Sequence, residues 1–113
     1  MAEDAETDKV FQALANTARR EMLDIIRIEP GISVGALARS FDFTRIAVMK
    51  HLAVLEDADL VISEKNGRTR NLYINIIPIQ LIYDRWADTY SSYWGSKLTQ
   101  IKYLAEAKTN KEK

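Results

Sequence analysis

Between Thr44 and Arg70 the chain carries two clusters of hydrogen-bond donors that a hydrophobic core has no use for. The first, TRIAVMKH, holds Thr44, Arg45, Ile46, Met49, Lys50 and His51; the second, KNGRTR, holds Lys65, Asn66, Arg68 and Arg70, and neither contains an acid. Guanidinium and ammonium groups donate to guanine N7 and O6 or to phosphate oxygens, while Ile46 and Met49 offer apolar contact to a thymine methyl. A threonine hydroxyl at a helix N-terminus adds a phosphate donor where the helix dipole already favours an anion. His51 has two open readings, packing beside Leu52 or contact with a phosphate.

Catalytic chemistry finds no such footing. There is no cysteine and a single histidine, with no serine and acid near it in a recognisable arrangement, no glycine-rich phosphate loop and no cluster of metal ligands. An enzyme is therefore excluded, and neither a cofactor nor a metal is expected.

The elements that must position these residues follow from periodicity and punctuation. Apolar residues at helical spacing predict helices over Asp8 to Leu14 and Asn16 to Glu29, the second capped by Asn16 or Thr17 and stopped by Pro30-Gly31. Ser33 caps a short helix holding Val34, Leu37, Ala38 and Phe41; Asp42-Phe43 connects it to a further helix beginning at Thr44. There Val48, Leu52 and Leu55 form the buried stripe, so Arg45, Ile46, Met49 and Lys50 face away. The helix ends near Ala58 with Asp59 in the left-handed position. LVISEK and RTRNLYI then read as two strands joined at Asn66-Gly67, both of which accept positive φ. From Pro78 one long helical pattern runs through Ile82, Trp86, Tyr90, Tyr93, Trp94 and Leu98 to Leu104.

Helix, short turn, helix, then a basic hairpin is the order of a winged helix-turn-helix, whose second helix enters the DNA major groove while the wing follows the flanking backbone. The fold class expected is mainly α with a β-hairpin, closed by a long C-terminal dimerisation helix. The boundaries read as an acidic flexible N-terminus over 1–7, one domain over 8–107 and a flexible tail over 108–113. Net charge is zero, with 16 basic against 16 acidic residues, but charge is screened within about 10 Å, so the local basic clusters outweigh the sum. With no cysteine, no apolar run near the roughly 20 residues that span a bilayer and a polar, acidic start, a cytoplasmic protein without a membrane partner is expected.

The stretches FQALANTARREMLDII, ISVGALARSF, RIAVMKHLAVLEDADLV and EKNGRTRNLYIN resemble the successive segments of the ArsR-type winged-helix transcriptional regulators and cover most of residues 8 to 76. PIQLIYDRW and the aromatics after it are similar to the C-terminal helix of a subgroup without the usual metal motifs. What the resemblance implies is a homodimeric repressor on double-stranded DNA, bound to a near-palindromic operator and often controlling its own operon. Metal-sensing members carry a cysteine-containing box where this chain has Ser33-Val34-Gly35-Ala36-Leu37, so metal sensing is not expected. Asp59 stands where many members have Gly, and Met49 where many have Ser or Thr.

The aromatic stripe is too long for the short helices beside it, and apolar surface of that extent rarely stays exposed on a monomer. Val10, Phe11, Ile82, Trp86, Tyr90, Tyr93, Trp94 and Leu98 are thus expected at a dimer interface. The same stripe read as a ligand box would make the protein a repressor responsive to an apolar ligand, although no small-molecule effector is indicated. A winged-helix module that binds a protein instead of DNA is the alternative from another class. Arg19 and Arg20 are expected to bridge within the domain rather than reach the DNA backbone.

Overall fold

The computed structural model describes residues 2–111, with side chains over 4–87 and 97–107. Helix α1 spans Ala2–Leu14, α2 Thr17–Ile28, α3 Val34–Ala38 and α4 Arg45–Asp57; strands β1, β2 and β3 span Ile32–Ser33, Val61–Asn66 and Thr69–Ile74; α5 spans Ile77–Lys111. Two compact units divide the chain, Met1–Ile79 and Gln80–Lys113, where the sequence suggested one domain over 8–107. Helix α1 begins at Ala2 rather than Asp8, and α5 runs to Lys111, so the segments expected to be flexible are helical as far as they are described.

Helices α2, α3 and α4 each start where a side chain can take up an orphan backbone N–H. Asn16 Oδ1 accepts from Arg19 N at 3.1 Å, Ser33 Oγ from Ala36 N at 3.1 Å and Thr44 Oγ1 from Ala47 N at 3.1 Å, all three caps in extended backbone. Gly31, φ 86°, turns the chain after α2 and lets its N–H donate to Leu72 O at 2.8 Å. Asp59 takes φ 60° after α4, as expected.

The apolar stripes meet in one core. Val48, Leu52 and Leu55 of α4 pack with Met22, Leu23 and Ile26 of α2, Leu37 of α3 and Leu72 of β3, all buried. Exposing any of these side chains would forfeit roughly 1.5–3 kcal/mol of transfer free energy. Val10 is also buried, 4% exposed. It therefore serves its own domain, which corrects its assignment to a dimer interface; among the described residues of α1 the large apolar side chain left exposed is Phe11, at 48%.

The hairpin differs from expectation in two ways. Asn66 pairs with Thr69, so the two-residue loop is Gly67-Arg68, and only Gly67 has positive φ, 65°. Glycine at the first central position is the other favoured hairpin pattern, and it puts Arg68 at the tip. A third strand also joins the sheet: Ile32 and Ser33 pair antiparallel with Leu72 and Asn71, giving the order β1-β3-β2. Two residues are too few to show a period-2 pattern, which is why the sequence reads them only as the approach to α3.

Candidate nucleic-acid interface

Thr44 sets the frame of the site by fixing where α4 begins. Its oxygen accepts the Ala47 N–H, and a hydroxyl that accepts in this way still has its own hydrogen to donate to a phosphate. With the buried stripe turned inward, the opposite side of α4 shows Arg45, Lys50, Ile46 (67% exposed) and Met49 (44% exposed). Exposing two large apolar residues on a helix with a full core stripe costs solvent-ordering free energy that folding does not recover. An outside surface that buries them recovers it.

On the wing the four expected residues separate. Lys65 and Asn66 end β2 and are exposed, and Arg68 occupies the loop, also exposed. Arg70 is different. The ladder puts Arg70 opposite Lys65 and two residues before buried Leu72, on the face turned towards α4, where its guanidinium donates to Glu56 Oε1 and, at 3.1 Å, to Ser63 Oγ. Arg70 is thus tied inside the domain, a correction to its reading as a free wing cation. Two like charges directly opposite on a ladder repel, and Glu56 offsets one of them.

His51 is half-buried on α4, its Nδ1 3.3 Å from Arg19 Nη1 and its ring centroid 6.0 Å from that of Phe43, which stacks on Phe41 at 5.1 Å. A guanidinium can only donate, so in this pairing Nδ1 is the acceptor. Arg19 also donates from Nε to Ala13 O at 2.8 Å and from Nη2 to Gln12 O at 3.0 Å, while Arg20 Nη1 donates to Leu14 O at 2.6 Å. Helix α1 has no glycine after it, and these two arginines satisfy its last carbonyls instead. They bridge within the domain, as expected; the Arg19 link to α4 had no signal in sequence.

Between α3, α4 and the wing opens a recess of about 240 Å³ whose lining includes Arg45, Met49 and Arg68. Helix and wing thus present one continuous basic and apolar surface. Among the described residues no cluster of three or more His, Cys, Asp and Glu is placed to hold a metal ion, and no helix is long and apolar enough to cross a membrane.

In the second unit Leu98, Ile101, Tyr103 and Leu104 are each more than 60% exposed. Trp86 is 42% exposed, with the Arg85 guanidinium 5.0 Å from its ring centroid, and Ile82 is half-buried. Tyr90, Tyr93 and Trp94 lie outside the residues whose side chains are described.

A helix-turn-helix domain model matches residues 14–64. The chain is 33% identical over 87 residues to the uncharacterized HTH-type transcriptional regulator YuzN of Bacillus subtilis, a match covering 72% of this chain and 95% of that protein. Among solved structures, an ArsR family transcriptional regulator superposes with a TM-score of 0.70 at 31% identity, over 82% of this chain and 94% of that one. An ArsR-like transcriptional regulator from Rhodococcus sp. RHA1 gives a TM-score of 0.67 at 28% identity, over 93% and 97%. Sequence and fold agree: the chain belongs to the ArsR family of winged helix-turn-helix proteins, DNA-binding transcriptional regulators rather than enzymes.

Proposed function

We propose that the protein is a homodimeric repressor that binds a near-palindromic operator, with α4 in the major groove and the wing on the flanking backbone. One observation carries the reading: Arg45, Ile46, Met49 and Lys50 stand exposed on the side of α4 opposite its buried stripe, and Arg45 shares a recess with Arg68 of the wing tip. Arg45 and Lys50 donate to base edges or phosphates, and Ile46 and Met49 take thymine methyls. Thr44 adds a hydroxyl, and Lys65, Asn66 and Arg68 hold the backbone. Arg70 supports the wing from behind, and His51 braces α4 against Arg19.

Exposed Leu98, Ile101 and Leu104 of α5 support a two-fold dimer, since large apolar side chains left in water favour a partner. Two recognition helices related by a two-fold axis meet half-sites about 34 Å apart on one face of the duplex. A repressor follows if that operator overlaps a promoter.

The test is selection of bound sequences from random duplexes, followed by affinity for the winner and for scrambled DNA across a salt series. The expected result is an enriched palindrome with half-sites one turn apart and affinity that falls steeply with salt. Enrichment of nothing, with weak and salt-insensitive binding to every duplex, would overturn the reading and favour a protein partner for the same surface.

A further inference from the structure

The recess between α3, α4 and the wing gathers arginines without gathering acids. Arg45, Arg68 and Arg70 all line it, Val34 and Met49 give it an apolar floor, Thr69 adds a hydroxyl, and no carboxylate lines it. Arg70 is already balanced by Glu56. Arg45 and Arg68 have no carboxylate within 4.0 Å among the described residues. Two positive charges thus share one concavity uncompensated, while the third is held in place beside them by Glu56 and Ser63.

We infer that this recess is a binding site for a small phosphate monoester, and that its occupant competes with DNA. A monoester carries close to two negative charges above its second pKa of about 6 and three strong acceptor oxygens. It matches two guanidinium forks, which bind phosphate bidentately. A carboxylate or a single phosphodiester supplies one charge, so either one alone leaves half of the site's charge unmet. The floor of Val34 and Met49 accepts a compact organic body. The volume of about 240 Å³ lies below the roughly 300–1,000 Å³ of pockets for drug-sized ligands, which sets an upper size on that body.

The competition clause rests on the proposed DNA surface, because Arg45 and Arg68 belong to both. Occupancy would cancel the charge of both residues and fill the space beside Met49, releasing DNA. Regulation by a phosphorylated small molecule then needs no second conformation, only a shared surface.

The experiment is calorimetric titration of the full chain with phenyl phosphate, without DNA, at about pH 8, where the monoester is a dianion. The expected result is one site per chain, weakened about tenfold or more in both Arg45→Ala and Arg68→Ala. Both residues are exposed, and circular dichroism verifies that the variants fold. Benzoate keeps the body with one charge and inorganic phosphate keeps the charge without the body; each is expected to bind about tenfold more weakly. No heat up to about 10 mM, equal binding in the variants, or benzoate as tight as phenyl phosphate would overturn the site. In a second arm phenyl phosphate is titrated against the operator complex and displaces it at concentrations matching its own affinity. If phenyl phosphate binds and leaves DNA affinity unchanged while both variants weaken DNA, competition is overturned. If the variants lose phenyl phosphate and keep full DNA affinity, the site stands and the DNA surface fails instead.

Discussion

Arg68 and Arg70 lie two residues apart, carry the same charge and are assigned opposite work, so replacing each with alanine separates recognition from architecture. Arg68 is exposed in the wing loop with no acidic partner among the described residues. On the proposed dimeric DNA surface, removing it deletes one phosphate contact per protomer, which lowers the salt slope of binding by about 0.9 per chain and about 1.8 per dimer. Between about 50 and 200 mM salt, the wild-type advantage over the variant then shrinks by about twelvefold. Stability moves by less than about 0.5 kcal/mol, as for other exposed positions.

Arg70 has a side chain 36% exposed, paired with a Glu56 carboxylate 30% exposed. A hydrogen bond between charged groups contributes about 1.5–3 kcal/mol when sheltered. Discounting for this exposure, Arg70→Ala costs about 1–2 kcal/mol and lowers Tm by about 5–10 °C. Its salt slope stays at the wild-type value. Thermal melts and a fluorescence-anisotropy salt series read both quantities, and a cycle with Glu56→Ala isolates the coupling. If Arg70→Ala flattened the slope and left Tm unchanged, Arg70 would be a DNA contact and the ion pair would be incidental. An unchanged slope in Arg68→Ala would remove the wing tip from the DNA.

Three further outcomes are expected. Asp59→Gly relieves a left-handed backbone position, φ 60°, and raises stability by about 0.5–1 kcal/mol in chemical denaturation, since glycine carries no Cβ penalty there; lowered stability would mean that the Asp59 side chain has a positive role. Arg19→Ala removes the donor to Gln12 O, Ala13 O and His51 and costs about 1–2 kcal/mol, with DNA affinity measured well below Tm staying within about threefold of wild type; a larger affinity loss at unchanged stability would move Arg19 onto the DNA. Replacing Leu98 and Ile101 together by lysine puts two charges on the apolar surface of α5; sedimentation should fall from twice the 12.9 kDa chain mass to a single chain, and a variant that stays dimeric would place the interface elsewhere.

Much of this protein is written in local signals. Asn16, Ser33 and Thr44 each mark a helix start because a short polar side chain reaches the N–H three residues on, an interaction set by sequence distance alone. The stripe Val48, Leu52, Leu55 and the exposed Arg45, Ile46, Met49 and Lys50 follow from 3.6-residue periodicity, which assigns both faces of α4 at once. Turn chemistry likewise announces the hairpin, although it put the loop at Asn66-Gly67 where the ladder leaves Gly67-Arg68, two solutions that a one-residue shift separates.

Tertiary structure decided which cations are free. Arg70 and Glu56 are fourteen residues apart, and Arg19 and His51 thirty-two; no periodicity relates them, and only the packing of α4 against the wing and against α2 brings them together. The same holds for Val10, buried in the domain's own core, and for β1, whose two residues become a strand only because β3 offers them an open edge. A side chain's type states what it can donate. Whether that donor faces DNA or a neighbouring carboxylate depends on contacts between segments that the chain's order leaves far apart.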